Sequence, residues 1–166
     1  MATEIVRRHA EACNPLDVVE GILVAHEWNY ERVGDREISV SVDGPWCRYY
    51  LWFARLDTPP SVQFSCAFDI VVPRRRLVDV QSLLALANAR LWLGHFAMWD
   101  EDGAIAFQHT HVLSDTSASA AQMEDIVSAG FVECERFYPA FQFVLWGGKT
   151  PIEAIAAALL ETVGSA

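Results

Sequence analysis

A strict alternation of apolar and polar side chains within residues 38–70 constrains the fold of this chain more than any other feature. Residues 38–42 alternate Ile, Val and Val with Ser, and residues 62–70 alternate Val, Phe, Cys, Phe and Ile with polar or small residues. A period of two places the apolar side chains on one face of a β-strand. With the aromatic stretch 46–56 between them, these segments predict three antiparallel strands in a meander.

Helical patterns flank these strands. Asn14-Pro15 begins a first helix, Leu77 opens a second, and apolar residues at helical spacing over 123–145 predict a long third. Residues 150–153, Thr-Pro-Ile-Glu, form a capping box for a fourth helix. A second hairpin is expected around an acidic turn at 100–103. The predicted fold class is α+β, an antiparallel five-stranded sheet with flanking helices in the order α-β-β-β-α-β-β-α-α.

Length and composition fit one domain. The 166 residues are 52% apolar, and a chain of this size can bury a single sizeable core. We predict an N-terminal segment at 1–13 and one domain at 14–166. The first residues contain no apolar core of signal-peptide length, and no run of about 18 uncharged apolar residues occurs. A cytoplasmic protein without a membrane span is therefore expected.

The charge of the chain limits its partners. Twelve basic and 22 acidic residues give a formal net charge of −10. Such a field repels the phosphate backbone, so nucleic-acid binding is not expected. The four cysteines are widely spaced, without a Cys-x-x-Cys pair, and do not resemble the framework of a secreted disulfide scaffold.

Turn lengths predict which strand residues share a face. A two-residue turn at Asp43-Gly44 would place Ser39 opposite Arg48, and the next turn, four residues long, would place Trp52 opposite Ser65. One face then forms the core under the helices, from Ile38, Val40, Val42, Tyr49, Leu51, Phe53, Phe64, Cys66 and Phe68.

The opposite face is the candidate binding surface, either for a partner protein or for a second copy of the chain. Tryptophan, tyrosine and arginine among small polar residues are typical of the energetic centre of a protein interface. Two other interpretations stay open: helices cover both sides of the sheet, or these aromatic residues only pack the second face of one monomer. The candidate binding residues are Trp46, Arg48, Tyr50, Trp52 and Gln63.

Motifs that would indicate catalysis or nucleotide binding are incomplete. Gly147-Gly-Lys-Thr150 lacks the first glycine of a phosphate-binding loop and follows a predicted helix, so it is interpreted as a helix stop. The acidic turn at 100–103 lacks the length and distal glutamate of a calcium loop. Cys134 lies on an aromatic helix face, where a thiol is usually inert. No enzyme and no cofactor are predicted.

Three histidines offer the alternative to protein binding. His109 and His111 share one face of a predicted strand, and His95 lies on the neighbouring strand. Three imidazoles could hold a transition metal. An even-length turn, however, places His95 on the other face, so strand histidines without a metal are favoured. A small-ligand or metal-sensing domain around His95, His109, His111 and Trp99 remains the second hypothesis.

Several segments together resemble the YbjN domain family of bacterial sensory transduction regulators. The resemblance covers about 14–163. The segments are Asn-Pro-Leu-Asp-Val-Val at 14–19, Leu-Ala-Asn-Ala-Arg at 86–90, Tyr-Pro-Ala-Phe-Gln at 138–142, and Trp-Gly-Gly-Lys-Thr-Pro-Ile-Glu-Ala at 146–154.

The resemblance implies a fold similar to type III secretion chaperones, often dimeric, with a regulatory or chaperone-like role. No catalytic residues are attached to the family, so none are transferred. We therefore expect a non-enzymatic protein-interaction domain that binds a protein partner or client and forms a homodimer.

Overall fold

The computed structural model describes residues 14–99, 103–113 and 118–163. The predicted N-terminal segment 1–13 and the acidic residues 100–102 lie outside them. The helices are α1 Pro15–Ala25, α2 Leu77–Asn88, α3 Ala120–Leu145 and α4 Pro151–Val163. The strands are β1 Tyr30–Val33, β2 Glu37–Asp43, β3 Arg48–Asp57, β4 Pro60–Val71, β5 His95–Met98 and β6 Ala104–Val112.

The described strands form one antiparallel sheet in the order β1-β2-β3-β4-β6-β5. Helices α1 and α3 pack on one face, here called the inner face, while α2 and α4 pack against α3. The α+β class and the four helices are confirmed. The inner face is formed by the predicted apolar set, which is buried except for the half-buried Val42.

The sheet has six strands in the described residues, not the five predicted. The missed strand, β1, pairs with β2 from Tyr30 opposite Val40 to Val33 opposite Glu37. Its inward side chains are Tyr30, which packs against the edge of the core, and Arg32, and both bond to carboxylates of α1. An apolar alternation is therefore absent, and periodicity cannot reveal this strand.

The predicted two-residue turn between β2 and β3 was also wrong. Asp43 pairs with Arg48 and Ser39 pairs with Trp52, so the loop spans residues 44–47. A tighter turn would bring Pro45 into the ladder, where it has no N–H to donate. The register differs from the prediction by four residues, an even number, so each paired side chain keeps its predicted face. The pairing of Trp52 with Ser65 is confirmed.

Helix caps follow the sequence signals. The side chain of Asn14 accepts a hydrogen bond from the Leu16 amide at 3.0 Å and caps α1. The Thr150 amide donates to the Glu153 carboxylate at 2.9 Å, which confirms the predicted capping box of α4.

Two glycines give opposite expectations for an alanine substitution. A β-carbon on Gly130 of α3 would lie 2.6 Å from Cε1 of Phe64 and 3.0 Å from Cε1 of Phe107, where the helix crosses the inner face. Gly130→Ala should therefore lower the free energy of unfolding by about 1–3 kcal/mol, the usual cost of overpacking. Gly21→Ala, at an exposed position of α1 with open space around it, should raise it by about 0.5–1 kcal/mol.

Urea denaturation of both variants measures these differences. Equal effects of the two alanines would contradict the close approach of α3 to the sheet, because helix propensity alone predicts stabilisation at both positions.

Candidate functional site

The face of the sheet away from α1 and α3, here called the outer face, carries exposed aromatic side chains. Tyr50 and Trp52 of β3 retain 46% and 43% of their accessible surface. Trp52 lies between Ser39 of β2 and Ser65 of β4. The structure therefore places Tyr50 and Trp52 on the predicted face, beside small polar neighbours.

Arg48 and Gln63 also lie on the outer face. Arg48 stands at the start of β3 and its Nε donates to Oδ1 of Asp43 at 2.7 Å, so its charge is partnered locally. Gln63 pairs with Ala54 and Thr110 near the far end of the sheet. Neither residue lines the groove that lies beside the aromatic pair.

Trp46 does not lie on the outer face, contrary to its predicted place beside Arg48. It belongs to the loop 44–47, and its ring stacks on Tyr138 of α3 with centroids 6.4 Å apart and planes 23° apart. Because Tyr138 also packs edge-on against Phe68 of the inner face, Trp46 covers the helical side. The period-two rule failed here because the rule applies only within the strand.

Small side chains form the floor of the outer face. Ala67 of β4 and Ala106 of β6 are neighbours across the sheet and are 5% and 0% exposed. Ala97 of β5 continues this row. Alternation along β5 places Trp99 on the same side as Ala97. Its indole can approach the sheet closely because the side chains of the floor are small.

A groove of about 370 Å³ lies on the floor between Trp99 and strands β1 to β4. Its walls include the rings of Tyr50, Trp52 and Trp99, and polar groups come from Ser39 and Ser41, with one carboxylate from Glu31. The described residues that line the groove are Asn29, Tyr30, Glu31, Ser39, Val40, Ser41, Tyr50, Leu51, Trp52, Ala67 and Trp99.

A polar cluster fixes the strand that carries Glu31. The Tyr30 hydroxyl donates to Oε1 of Glu20 at 2.6 Å, and Arg32 donates to Glu20 and, at 2.8 Å, to Asp17. These bonds join β1 to α1 through the inward side chains of the strand. Glu31, between Tyr30 and Arg32, consequently faces outward toward the groove.

The same cluster predicts an acid-dependent contribution to stability. The hydrogen bond from Tyr30, and then that from Arg32, lowers the pKa of the Glu20 carboxyl below its usual value. A lowered folded pKa stabilises the protein above the unfolded pKa, and this stabilisation is lost as pH falls through the folded pKa. Glu20→Gln should therefore lower stability at pH 7, and its difference from wild type should shrink toward about pH 3.

Urea denaturation at several pH values measures this difference, with Glu31→Gln as the control. Within the described residues, Glu31 makes no side-chain hydrogen bond or ion pair, so its substitution should leave the pH dependence unchanged. A Glu20→Gln effect that is the same at every pH would contradict a role for the ionised carboxylate.

The histidines do not converge. His95 pairs with Gln108, on the outer side, whereas His109 and His111 pair with inner-face Phe64 and Val62. Burial, followed by the charges of His111 and His95, lowers the pKa of His109, which favours neutral imidazole. No group of three or more His, Cys, Asp or Glu side chains in the described part of the chain could hold a metal.

Glu31 and Trp99 are two outward-facing groove residues that the sequence-based prediction of the binding surface missed. The four-residue strand β1 has no periodic signal, so Glu31 could not be placed beside β2. Trp99 had been grouped with His95 and His109 in the alternative pocket, and only the β5–β6 register shows that it faces Tyr50 and Trp52.

Comparison with known proteins gives a family and a fold. A sequence model of the YbjN family, described as "Putative bacterial sensory transduction regulator", matches residues 15–143. The match includes the segment at 138–142 and stops before the one at 146–154. No curated protein matches the sequence.

A crystal structure of YbjN from E. coli, described as "a putative transcription regulator", is similar to this chain with a TM-score of 0.52. The two sequences are 12% identical, and the alignment covers 71% of this chain and 84% of the other. At this identity the likeness shows the fold alone. Among the described helices, none is long and apolar enough to cross a membrane.

Proposed function

The chain belongs to the YbjN family, and from this premise we propose that it is a non-enzymatic regulatory domain that binds a partner protein through its outer face. The observation that carries the proposal is that the aromatic rings on that face lack aromatic neighbours. Tyr50, Trp52 and Trp99 make no stacking or edge contact with another ring in the described residues, whereas Trp28 and Trp46 both do. Exposed aromatic groups beside a small-residue floor suit a partner that buries them.

The non-enzymatic part of the proposal rests on the chemistry of the Cys134 thiol. Cys134 is fully buried, and burial, followed by Cys66, raises the pKa of its thiol well above the usual value. A protonated, inaccessible thiol is a poor nucleophile.

A chaperone-like action on a client protein, in a cytoplasmic setting, is the finer form of the proposal. The net charge of −10 would attract a basic client before contact. The same charge disfavours DNA as the target, although the similar E. coli protein is described as "a putative transcription regulator". Cys47, Cys66 and Cys134 are free thiols, which suits a reducing compartment.

Homodimer formation is also proposed, through a surface other than the outer face. In a two-fold dimer the same patch meets itself. Each copy would then bring its own Glu31 into the contact, and the described groove residues supply no cation to balance the two charges, which disfavours that contact. Light scattering should therefore give the same dimer mass for wild type and Trp52→Ser. If Trp52→Ser were monomeric and wild type dimeric, the dimer contact would lie on the outer face. If wild type and Trp52→Ser were both monomeric, the proposed dimer would be rejected.

Site-specific photo-cross-linking in the native cell tests the proposed binding face. A benzophenone amino acid at position 50 or 63 reports on the outer face, and the same group at exposed positions 78 and 152 reports on α2 and α4. We expect a discrete adduct with another protein from positions 50 and 63. Adducts from 78 and 152 alone would place the partner on the helices and contradict the proposal.

A further inference from the structure

The groove on the outer face has an unusual balance of charge. Among the eleven lining residues that the structure describes, only Glu31 is charged. Its side chain has no ion-pair or hydrogen-bond partner among the residues that the structure describes. The other described lining residues are uncharged: aromatic residues, two serines, an asparagine and apolar residues. The groove therefore presents one uncompensated negative charge beside several aromatic surfaces.

Three arginines on or next to the described strands around this site pair with carboxylates outside the groove. Arg32 bonds to Glu20 and Asp17 on the inner side, and Arg48 bonds to Asp43 at the end of the hairpin. Arg36 pairs with Asp57 at the opposite end of β2 and β3. None of these arginines lines the groove, so Glu31 stays available to a cation from another molecule.

Aromatic rings beside a carboxylate favour a cation over a neutral group. The π face of tryptophan or tyrosine attracts ammonium and guanidinium ions, and tryptophan does so most strongly. Guanidinium is also planar and weakly hydrated, so it stacks on rings and bonds to carboxylate at the same time. Arginine therefore matches Trp52, Trp99 and Glu31 better than lysine does.

We propose that the groove bounded by Tyr50, Trp52, Trp99 and Glu31 receives an arginine side chain from an extended segment of the partner protein. The inference rests on the proposed function and adds the chemistry of the partner. Glu31 would accept hydrogen bonds from the guanidinium, and the indoles would cover its faces. Ser39 and Ser41 would accept or donate further hydrogen bonds along the floor.

A second copy of this chain is a poorer occupant of the groove. Self-association through the outer face would bring a second uncompensated Glu31 toward the first. The charge complementarity that an arginine supplies would then be missing.

Paired peptides test the inference directly. The probe is an extended pentapeptide with arginine at its centre between two valines, and its twin carries citrulline, which keeps the shape and removes the charge. NMR titration of the labelled protein gives both dissociation constants. We expect the arginine peptide to bind about tenfold more tightly than its twin, with the gap narrowing at high salt.

Two protein variants separate the effect of the Glu31 charge from that of the net negative charge of the protein. Glu31→Gln should weaken binding of the arginine peptide about five- to tenfold and leave the citrulline peptide unchanged. Asp125→Asn removes the same charge from exposed α3 and should change neither constant.

The outcomes distinguish this inference from the proposed function. Equal binding of the two peptides, with Trp52→Ser weakening both, would overturn the arginine site and leave the outer face as a binding surface. No binding of the arginine peptide would also overturn the arginine site. Photo-cross-links from positions 78 and 152 alone would overturn the binding face itself.

Discussion

Trp52→Ser is expected to weaken binding of the partner protein by about 30-fold or more, because an aromatic residue at the centre of an interface typically contributes 2 kcal/mol or more. The side chain lies between Ser39 and Ser65 and remains 43% exposed. Its removal should therefore cost the folded protein only about 1 kcal/mol or less. Once cross-linking has identified the partner, calorimetric titration with the purified partner measures the affinity, and urea denaturation measures the stability.

Trp92→Ser is the matched control. Trp92 follows α2, is 76% exposed and is not among the described residues that line the groove, so the same chemical change there removes an exposed indole outside the groove. Its affinity should equal that of wild type. Equal losses of affinity in the two variants, or a loss of fold in Trp52→Ser, would show that Trp52 is not the binding contact.

Phe53→Ala is expected to produce the largest loss of stability, about 3–5 kcal/mol, since it leaves a cavity in a close-packed core. Phe53 is the next residue along β3, points to the inner face and is 1% exposed. Its ring lies 5.1 Å from that of Phe64, centroid to centroid. Thermal or urea unfolding measures the change.

Adjacent residues thus give opposite results, and the pair tests the orientation of β3. A loss below about 1 kcal/mol for Phe53→Ala, together with a larger loss for Trp52→Ser, would mean that the two faces had been interchanged.

The sequence allowed the faces of the central strands to be predicted because alternation is a local property. The observed register of β2 and β3 differs from the predicted one by four residues, because the loop is longer than the predicted turn. Trp52 therefore pairs with Ser39, a partner that the prediction did not give it. The difference in register did not move Trp52 to the other face. Strand alternation does not apply to the loop residue Trp46. Its position depends on a contact with Tyr138, which lies far along the chain.

The groove could not be predicted in full because its parts come from distant segments. Glu31 belongs to a strand whose inward side chains are Tyr30 and Arg32, so hydrophobic periodicity does not mark it. Trp99 reaches the groove only through the pairing of β5 with β6 and of β6 with β4. Both contributions depend on tertiary structure.

The most direct test of the proposed binding face uses the six tryptophans as reporters. Indole N–H signals of the labelled protein can be assigned from single Trp→Phe variants and followed while the purified partner is added. We predict that the signals of Trp52 and Trp99 shift and that those of Trp92 and Trp146 stay in place. Shifts of Trp92 or Trp146, with Trp52 and Trp99 unchanged, would contradict binding through the outer face.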